Sequence, residues 1–292
     1  MDMDAALYTF ITEEPSSPED AARQAAMLVT LPPAFSSDRI SFSRRFLAEM
    51  VRSGYGAASD IHPFIRKTLQ EICTESNVSF DINACKLLES TLDIAACVLA
   101  GGQSRRMGRD KRGLTFRENT FLETALRSVE LYADRYLSVG PAEAPDHDPG
   151  LVILQDKDHG QGPVSGIAEA LQATRSPWIL FIPCDMPLLT ADLLDELALR
   201  RKPGQNAWIF TEKGEARIFP LFLRTKAAAP VFAKALAKGE CKLKTIIEEY
   251  LHPETLEVTD CFAYRDHILS NINTADDYLY LGQSNTPQRH LL

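Results

Sequence analysis

The sequence predicts a doubly wound, mostly parallel α/β sheet preceded by an all-helical N-terminal extension. Three observations carry this. From Ile94 onward short apolar runs alternate with helical patterns, as successive β-α units require. The first run, IAACVLA, has no polar residue to mark a solvated face, so it reads as a strand covered on both sides. Before Ile94 the apolar residues recur at helical spacing only.

At 292 residues the chain divides into about two domains of ~150 residues each. We place the boundary so that residues 1–93 form a helical accessory domain of unassigned role and residues 94–292 a ligand-binding α/β domain. Charged residues make up 24% and apolar residues 45%, which excludes wholesale disorder and fibrous folds. The net charge of −9 argues against a broad nucleic-acid face, which needs basic surface. Residues 1–93 carry 8 basic and 14 acidic residues, so a helix-turn-helix reader of DNA is disfavoured there too. No run of 18 apolar residues and no signal-peptide pattern occurs, so neither a membrane span nor export is expected. The six cysteines have neither C-x-x-C nor zinc-ligand spacing, and buried, reduced thiols in a cytoplasmic protein are the expectation.

Along the extension, residues 12–20 (TEEPSSPED) read as an exposed loop, followed by a short helix in ARQAAMLV that Pro32 and Pro33 stop. Helices follow at about 41–52, at about 62–73 with Asp60 as N-cap, and at about 82–92 with Asp81 as cap. In the α/β part, strands fall at IAACVLA, YLSVG, LVIL, WILFIP, AWIFT and RIFPLFLR, the last a candidate for antiparallel pairing. Helices fall at about 120–131, 164–174, 191–200 with Thr190 as cap, 227–237 and 243–250.

Sheets of this class bind ligands at the carboxyl ends of their strands. The loop after the first strand reads Leu99-Ala100-Gly101-Gly102-Gln103-Ser104-Arg105-Arg106-Met107-Gly108-Arg109-Asp110-Lys111-Arg112. It is neither a Walker A loop nor G-x-G-x-x-G. Gly101 and Gly102 let backbone N–H groups approach an oxyanion, and Arg105, Arg106, Arg109, Lys111 and Arg112 suit a polyphosphate. After WILFIP comes Cys184-Asp185-Met186-Pro187. A lone carboxylate there either opens a turn or holds a hard cation, since Mg²⁺ takes only one or two protein carboxylates beside phosphates.

The loop LAGGQSRRMGRDK resembles the signature of nucleotidyltransferases of the molybdenum cofactor type, and its double glycine resembles the guanylyltransferase branch. The resemblance spans about residues 94–282 and implies a Rossmann-like nucleotidyltransferase fold. CDMP resembles that family's metal-binding motif, which implies Asp185 as Mg²⁺ ligand. Asp156, before His159-Gly160-Gln161-Gly162-Pro163, aligns with the residue that selects guanine, and its two acceptor oxygens match guanine's N1 and N2 donors. Asn271-Ile272-Asn273-Thr274-Ala275-Asp276-Asp277 resembles that family's Asn-hydrophobic-Asn-Thr-Pro-x-Asp/Glu signature, with Ala275 in place of proline, which is compatible with a helix starting at a Thr274 cap; turn formation with helix capping is the alternative reading.

The resemblance therefore implies transfer of GMP from GTP to molybdenum-molybdopterin. Lys111, Arg106 and Asp185 are the expected catalytic residues. Leu99, Ala100, Gly101, Gly102, Lys111, Asp156 and Asp185 are expected at the nucleotide, Asn271, Asn273 and Pro163 at the pterin, and Asp185 at Mg²⁺. Residues 1–93 are the expected contact for molybdoenzymes or cofactor-synthesis proteins. The rivals are cytidylyl transfer to the same pterin, nucleotidyl transfer to a sugar phosphate, and a non-enzymatic cofactor-delivery protein.

Overall fold

The structure, a computed structural model, describes residues 15–30, 43–48, 50, 52, 61, 64, 67, 82–101, 110–139, 150–155, 162–202 and 204–284; for 26–30, 82–85 and 280–284 this is the backbone alone. The helix expected at 62–73 and the caps Asp60 and Asp81 lie largely outside them.

A seven-stranded sheet runs in the order β5-β4-β1-β6-β8-β7-β9. The strands are β1 (Ile94–Leu99), β4 (Arg135–Val139), β5 (Leu151–Gln155), β6 (Trp178–Pro183), β7 (Ala207–Glu212), β8 (Glu215–Arg224) and β9 (Glu254–Glu257). A separate hairpin joins β2 (Thr115–Phe116) to β3 (Asn119–Thr120). Within the large sheet β8 alone runs against its neighbours. Pro220 has no N–H to donate. The β6–β8 ladder stops at Leu221, and the β7–β8 register shifts between Trp208 and Phe210.

Every residue of β1 is buried, because helices cover both faces. Its side chains alternate between two cores. Ile94, Ala96 and Val98 join Leu122 and Ala125 of α3 (Phe121–Ser128) and Leu193, Leu194 and Leu197 of α5 (Ala191–Leu199). Ala95, Cys97 and Leu99 join Val164, Ile167 and Leu171 of α4 (Pro163–Ala173) and Phe232 of α6 (Thr225–Ala237). Thr120 caps α3 in a full capping box with Glu123.

Several boundaries differ from expectation. The 12–20 loop ends at Ser17, whose hydroxyl accepts from Asp20 N at 3.1 Å and starts α1 (Pro18–Thr30) with proline in its first turn. Helix α3 stops at Ser128, where Val129 N turns back to the Leu126 carbonyl. The 243–250 segment is three α-helical residues, α7 (Leu243–Thr245), running into a π-helical turn (Ile246–Leu251). Strand β9 was not foreseen; Glu-Thr-Leu-Glu is short, polar and on the sheet edge.

The extension docks on the α/β unit through α2 (Ile82–Asp93), which runs straight into β1, and through the side chains of Arg44 and Arg52. The Arg44 side chain is 1% exposed and pairs with Asp195 at 2.6 Å. It also donates to Thr91 Oγ1 at 3.2 Å and lies 5.3 Å from the Tyr132 ring centre. Arg52 donates to the Glu130 and Tyr132 carbonyls at 2.7 and 3.2 Å. Glu130 and Tyr132 precede β4, so these contacts hold the end of the sheet away from the strands' carboxyl ends.

Candidate active site

Strands β4 and β5 lie to one side of β1 and β6 to the other. The chain therefore reverses its winding between β1 and β6, and a crevice opens at their carboxyl ends. Leu99 and Pro183 are register partners there, and Cys184 N donates to the Leu99 carbonyl at 3.1 Å. Asp185 and the exposed Gly101 each follow two residues beyond that pair.

A satellite apolar cluster delivers the remaining side chains. Ile272 packs against Phe121, with Leu114, Phe116, Leu188 and Tyr278 around them. Ile272 N donates to the Asp185 carbonyl at 2.9 Å, so the Asn-Ile-Asn segment is pinned to the end of β6. On the other side, Asp110 caps a 3₁₀ turn over Lys111–Gly113. Leu114 of the same cluster follows that turn, and its carbonyl accepts from Phe121 N at 2.8 Å.

Four side chains meet as a result. Lys111 Nζ pairs with Asp185 Oδ2 at 3.1 Å and donates to Asn273 Oδ1 at 2.7 Å. Asn271 Nδ2 donates to Asp185 Oδ1 at 3.4 Å. The Lys111 and Asp185 side chains are 15% and 18% exposed, so the pair is partly desolvated and stronger than a surface ion pair.

Behind Asn273, α8 (Ala275–Ser284) begins with a reciprocal cap. Asp277 Oδ2 accepts from Asn273 N at 2.9 Å and Thr274 N at 2.8 Å, and Thr274 Oγ1 accepts from Asp277 N at 3.1 Å. These bonds, the Asn273 amide first, hold the Asp277 carboxyl below its ordinary range.

Arg112 is not spare charge for a ligand: its guanidinium forks onto Asp110 at 2.6–3.0 Å. Cys184 is buried, and burial, reinforced by the negative Asp185, pushes its thiol up to about 12. That makes it packing rather than a nucleophile. A cleft of about 1630 Å³ adjoins the four-residue cluster, lined by Asn271 and Asn273 together with Asn119, Arg217, Arg265 and His267. It is larger than the ~300–1,000 Å³ usual for a small-molecule site. Composition and spacing had not singled out Asn119, Arg217, Arg265 or His267. The helix start expected at the Thr274 cap is present, and its return bond to Asp277 is what the structure adds.

Of the expected residues, Leu99 and Ala100 are buried at the end of β1, and Lys111, Asp185, Asn271 and Asn273 meet one another. Pro163 is exposed at the first turn of α4 and is not among the residues lining the cleft. Gly102, Arg105, Arg106, Arg109, Asp156 and His159 lie outside the described residues. Among the described residues no cluster of three or more His, Cys, Asp or Glu is placed to hold a metal. Asp185 as a single hard oxygen donor still fits Mg²⁺, which completes its shell with phosphates and waters.

The model of the MobA-like NTP transferase domain matches residues 96–254, more than half of the chain. The chain belongs to that family. A molybdenum cofactor guanylyltransferase of Pasteurella multocida is 35% identical over 165 residues, covering 54% of this chain and 86% of that one. A probable molybdenum cofactor guanylyltransferase of Clostridium perfringens is 30% identical over 195 residues, covering 63% and 93%. Among solved structures, molybdopterin-guanine dinucleotide biosynthesis protein A of Archaeoglobus fulgidus superposes with a TM-score of 0.53 at 21% identity, covering 65% of this chain and 97% of that one, a likeness of fold. As a MobA-like NTP transferase the chain is a nucleotidyltransferase, and the family match begins at Ala96, leaving the helical extension outside it. Among the described residues no helix is long and apolar enough to cross a membrane.

Proposed function

We propose that this MobA-like protein is a cytoplasmic enzyme that transfers GMP from GTP to the terminal phosphate of molybdenum-molybdopterin, releasing pyrophosphate. The carrying observation is the meeting of Lys111 with Asp185 and Asn273 at 3.1 and 2.7 Å, at the crevice where the winding reverses. The names of the relatives supply the choice of guanine and of the pterin acceptor.

The acceptor phosphate is anionic at neutral pH, so its oxygen attacks the α-phosphorus without a protein base. The chain's task is then positioning and charge neutralisation. Lys111, with Arg106, stabilises the charge that builds on the α-phosphate and the departing pyrophosphate. The Gly101 and Gly102 amides align the phosphates, beside Leu99 and Ala100. Asp156 selects guanine by accepting its N1 and N2 protons. Asn271 and Asn273, and Pro163 at the start of α4, face the pterin side. Asp185 would hold Mg²⁺, which when bound adds positive charge to the phosphates.

We further assign residues 94–292 as the transferase domain and residues 1–93 as a helical accessory domain. The burial of Arg44 against Asp195 and Tyr132 supports a brace at the far end of the sheet, away from the reacting groups.

The test is pyrophosphate release by the full chain with molybdenum-molybdopterin, Mg²⁺ and either GTP or CTP. We expect release with GTP, reduced about 10²–10³-fold by Lys111→Ala or Asp185→Ala. Use of CTP alone overturns the guanine assignment, and undiminished release by Lys111→Ala overturns the catalytic one.

A further inference from the structure

The lysine on which this reading rests is not steered by its own segment alone. Its 2.7 Å partner, Asn273 Oδ1, sits immediately before the Thr274 cap of α8. A residue just outside a helix has no intrahelical bond to hold its backbone. Here a single carboxylate oxygen, Asp277 Oδ2, takes both the Asn273 and the Thr274 N–H groups. The Thr274 hydroxyl returns the bond to Asp277 N. One residue further on, the Tyr278 hydroxyl donates to the Thr115 carbonyl at 2.7 Å and its ring lies 6.0 Å from that of Phe121. The start of α8 is thus tied to the segment that carries Lys111, which fixes where the Asn273 amide can point.

We propose that Asp277 is a positioning residue for the transfer reaction, holding the Asn273 backbone so that Asn273 Oδ1 keeps the Lys111 ammonium aimed at the reacting phosphates. It rests on the assignment of Lys111 under Proposed function. Asp277 acts through Asn273, whose backbone N–H its carboxylate accepts and whose side-chain oxygen meets the Lys111 ammonium. Its carboxylate is the right chemistry: it only accepts, so one oxygen can take two amide donors. Glutamate, the usual partner in such a cap, can do the same from one carbon further out.

The experiment is a double-mutant cycle on the full chain, comparing wild type, Asp277→Ala, Asn273→Ala and the pair, with Asp277→Glu as the conservative control. GMP transfer gives kcat and KM for GTP. Hydrogen exchange of the Asn273 backbone amide and the NMR signals of the Asn273 side-chain amide, read at one fixed pH without substrate, give a readout independent of turnover. We expect Asp277→Ala to lower kcat about tenfold with little change in KM, and Asp277→Glu to restore most of it. In the Asn273→Ala background the same substitution should cost less than about twofold, because the two residues act through one contact. Asp277→Ala should speed exchange of the Asn273 backbone amide and shift its side-chain amide signals, and Asp277→Glu should restore both. A purely structural cap predicts lower thermal stability with multiplicative kcat losses, and that result, or failure of glutamate to rescue, overturns the proposal. If wild type transfers no GMP, the functional reading fails, and the Asn273 amide signals alone uphold or refute the link to Asp277.

Discussion

Lys111 Nζ lies 2.7 Å from Asn273 Oδ1 although 162 positions separate them along the chain. The same ammonium reaches Asp185, 74 positions away, at 3.1 Å. A lysine shared between a carboxylate and a neutral amide oxygen keeps its charge compensated without losing the ability to turn toward an incoming phosphate. Asp185→Asn keeps the shape of the site and removes the negative charge. Transfer should fall about 10²–10³-fold, and stabilisation of the chain by GTP with Mg²⁺ should shrink in a thermal-shift titration. Unchanged Mg²⁺-dependent stabilisation would separate Asp185 from the metal.

The Arg44–Asp195 pair should behave as a buried ion pair. Burial outweighs the nearby Arg44 cation and lifts the Asp195 carboxyl above its ordinary range. Arg44→Ala leaves that carboxylate buried without its partner and should cost about 3–5 kcal/mol. Arg44→Met combined with Asp195→Leu should recover most of the loss, because two apolar groups need no compensation. Urea unfolding measures both. Equal stability of Arg44→Ala and wild type would mean that the extension is not a brace.

Asp277 sets an acid limit. Its folded pKa is depressed, so its stabilisation is complete above the ordinary Asp value near ~4 and disappears as pH falls through the lower folded value. The melting-temperature gap between wild type and Asp277→Asn should therefore be constant near neutrality and close below pH ~4. A gap that persists into acid contradicts the cap.

Thiol reactivity should follow exposure. Cys184 and Cys261 are pushed up to about 12 by burial, and burial also raises Cys97, whereas Cys241 is exposed. Among these four, a neutral-pH alkylating agent should label Cys241 alone, read by peptide mass spectrometry, and Cys184→Ala should retain transfer. Labelling of Cys184 ahead of Cys241 would make it a reactive group.

Helix α4 seats closely on β4 at Gly166. A methyl group there would lie 2.3 Å from Ser138 Oγ, which is itself buried. Gly166→Ala should destabilise by about 1–3 kcal/mol as overpacking. Adding Ser138→Ala should return part of that, measured by denaturant unfolding. No recovery would mean that the backbone, not Ser138, sets the limit.

Gly162 was readable as a loop glycine, and the structure shows why: its φ is +61°, a conformation that side chains resist. The strands of the main sheet were legible wherever burial on both faces left an unbroken apolar run, as in β1 and β6. Strand β9 was hidden because an edge strand needs no apolar side chains, and the 243–251 segment because helical periodicity does not separate an α- from a π-turn. The α8 cap was visible as Thr274-x-x-Asp277, but nothing local says that it holds a residue touching Lys111.

By itself the sequence determined the alternation of strand and helix, the glycine and cation loop, and a lone carboxylate after an apolar strand. These depend on local chemistry: periodicity, missing side chains and the charge of near neighbours. Only the tertiary structure decided which carboxylates Lys111 and Arg112, the described cations of that loop, meet. Arg112 closes on Asp110 within its own turn, whereas Lys111 crosses to Asp185 and Asn273. That choice is made by the packing of Ile272 against Phe121 and by the register of β1 with β6, contacts between segments far apart along the chain.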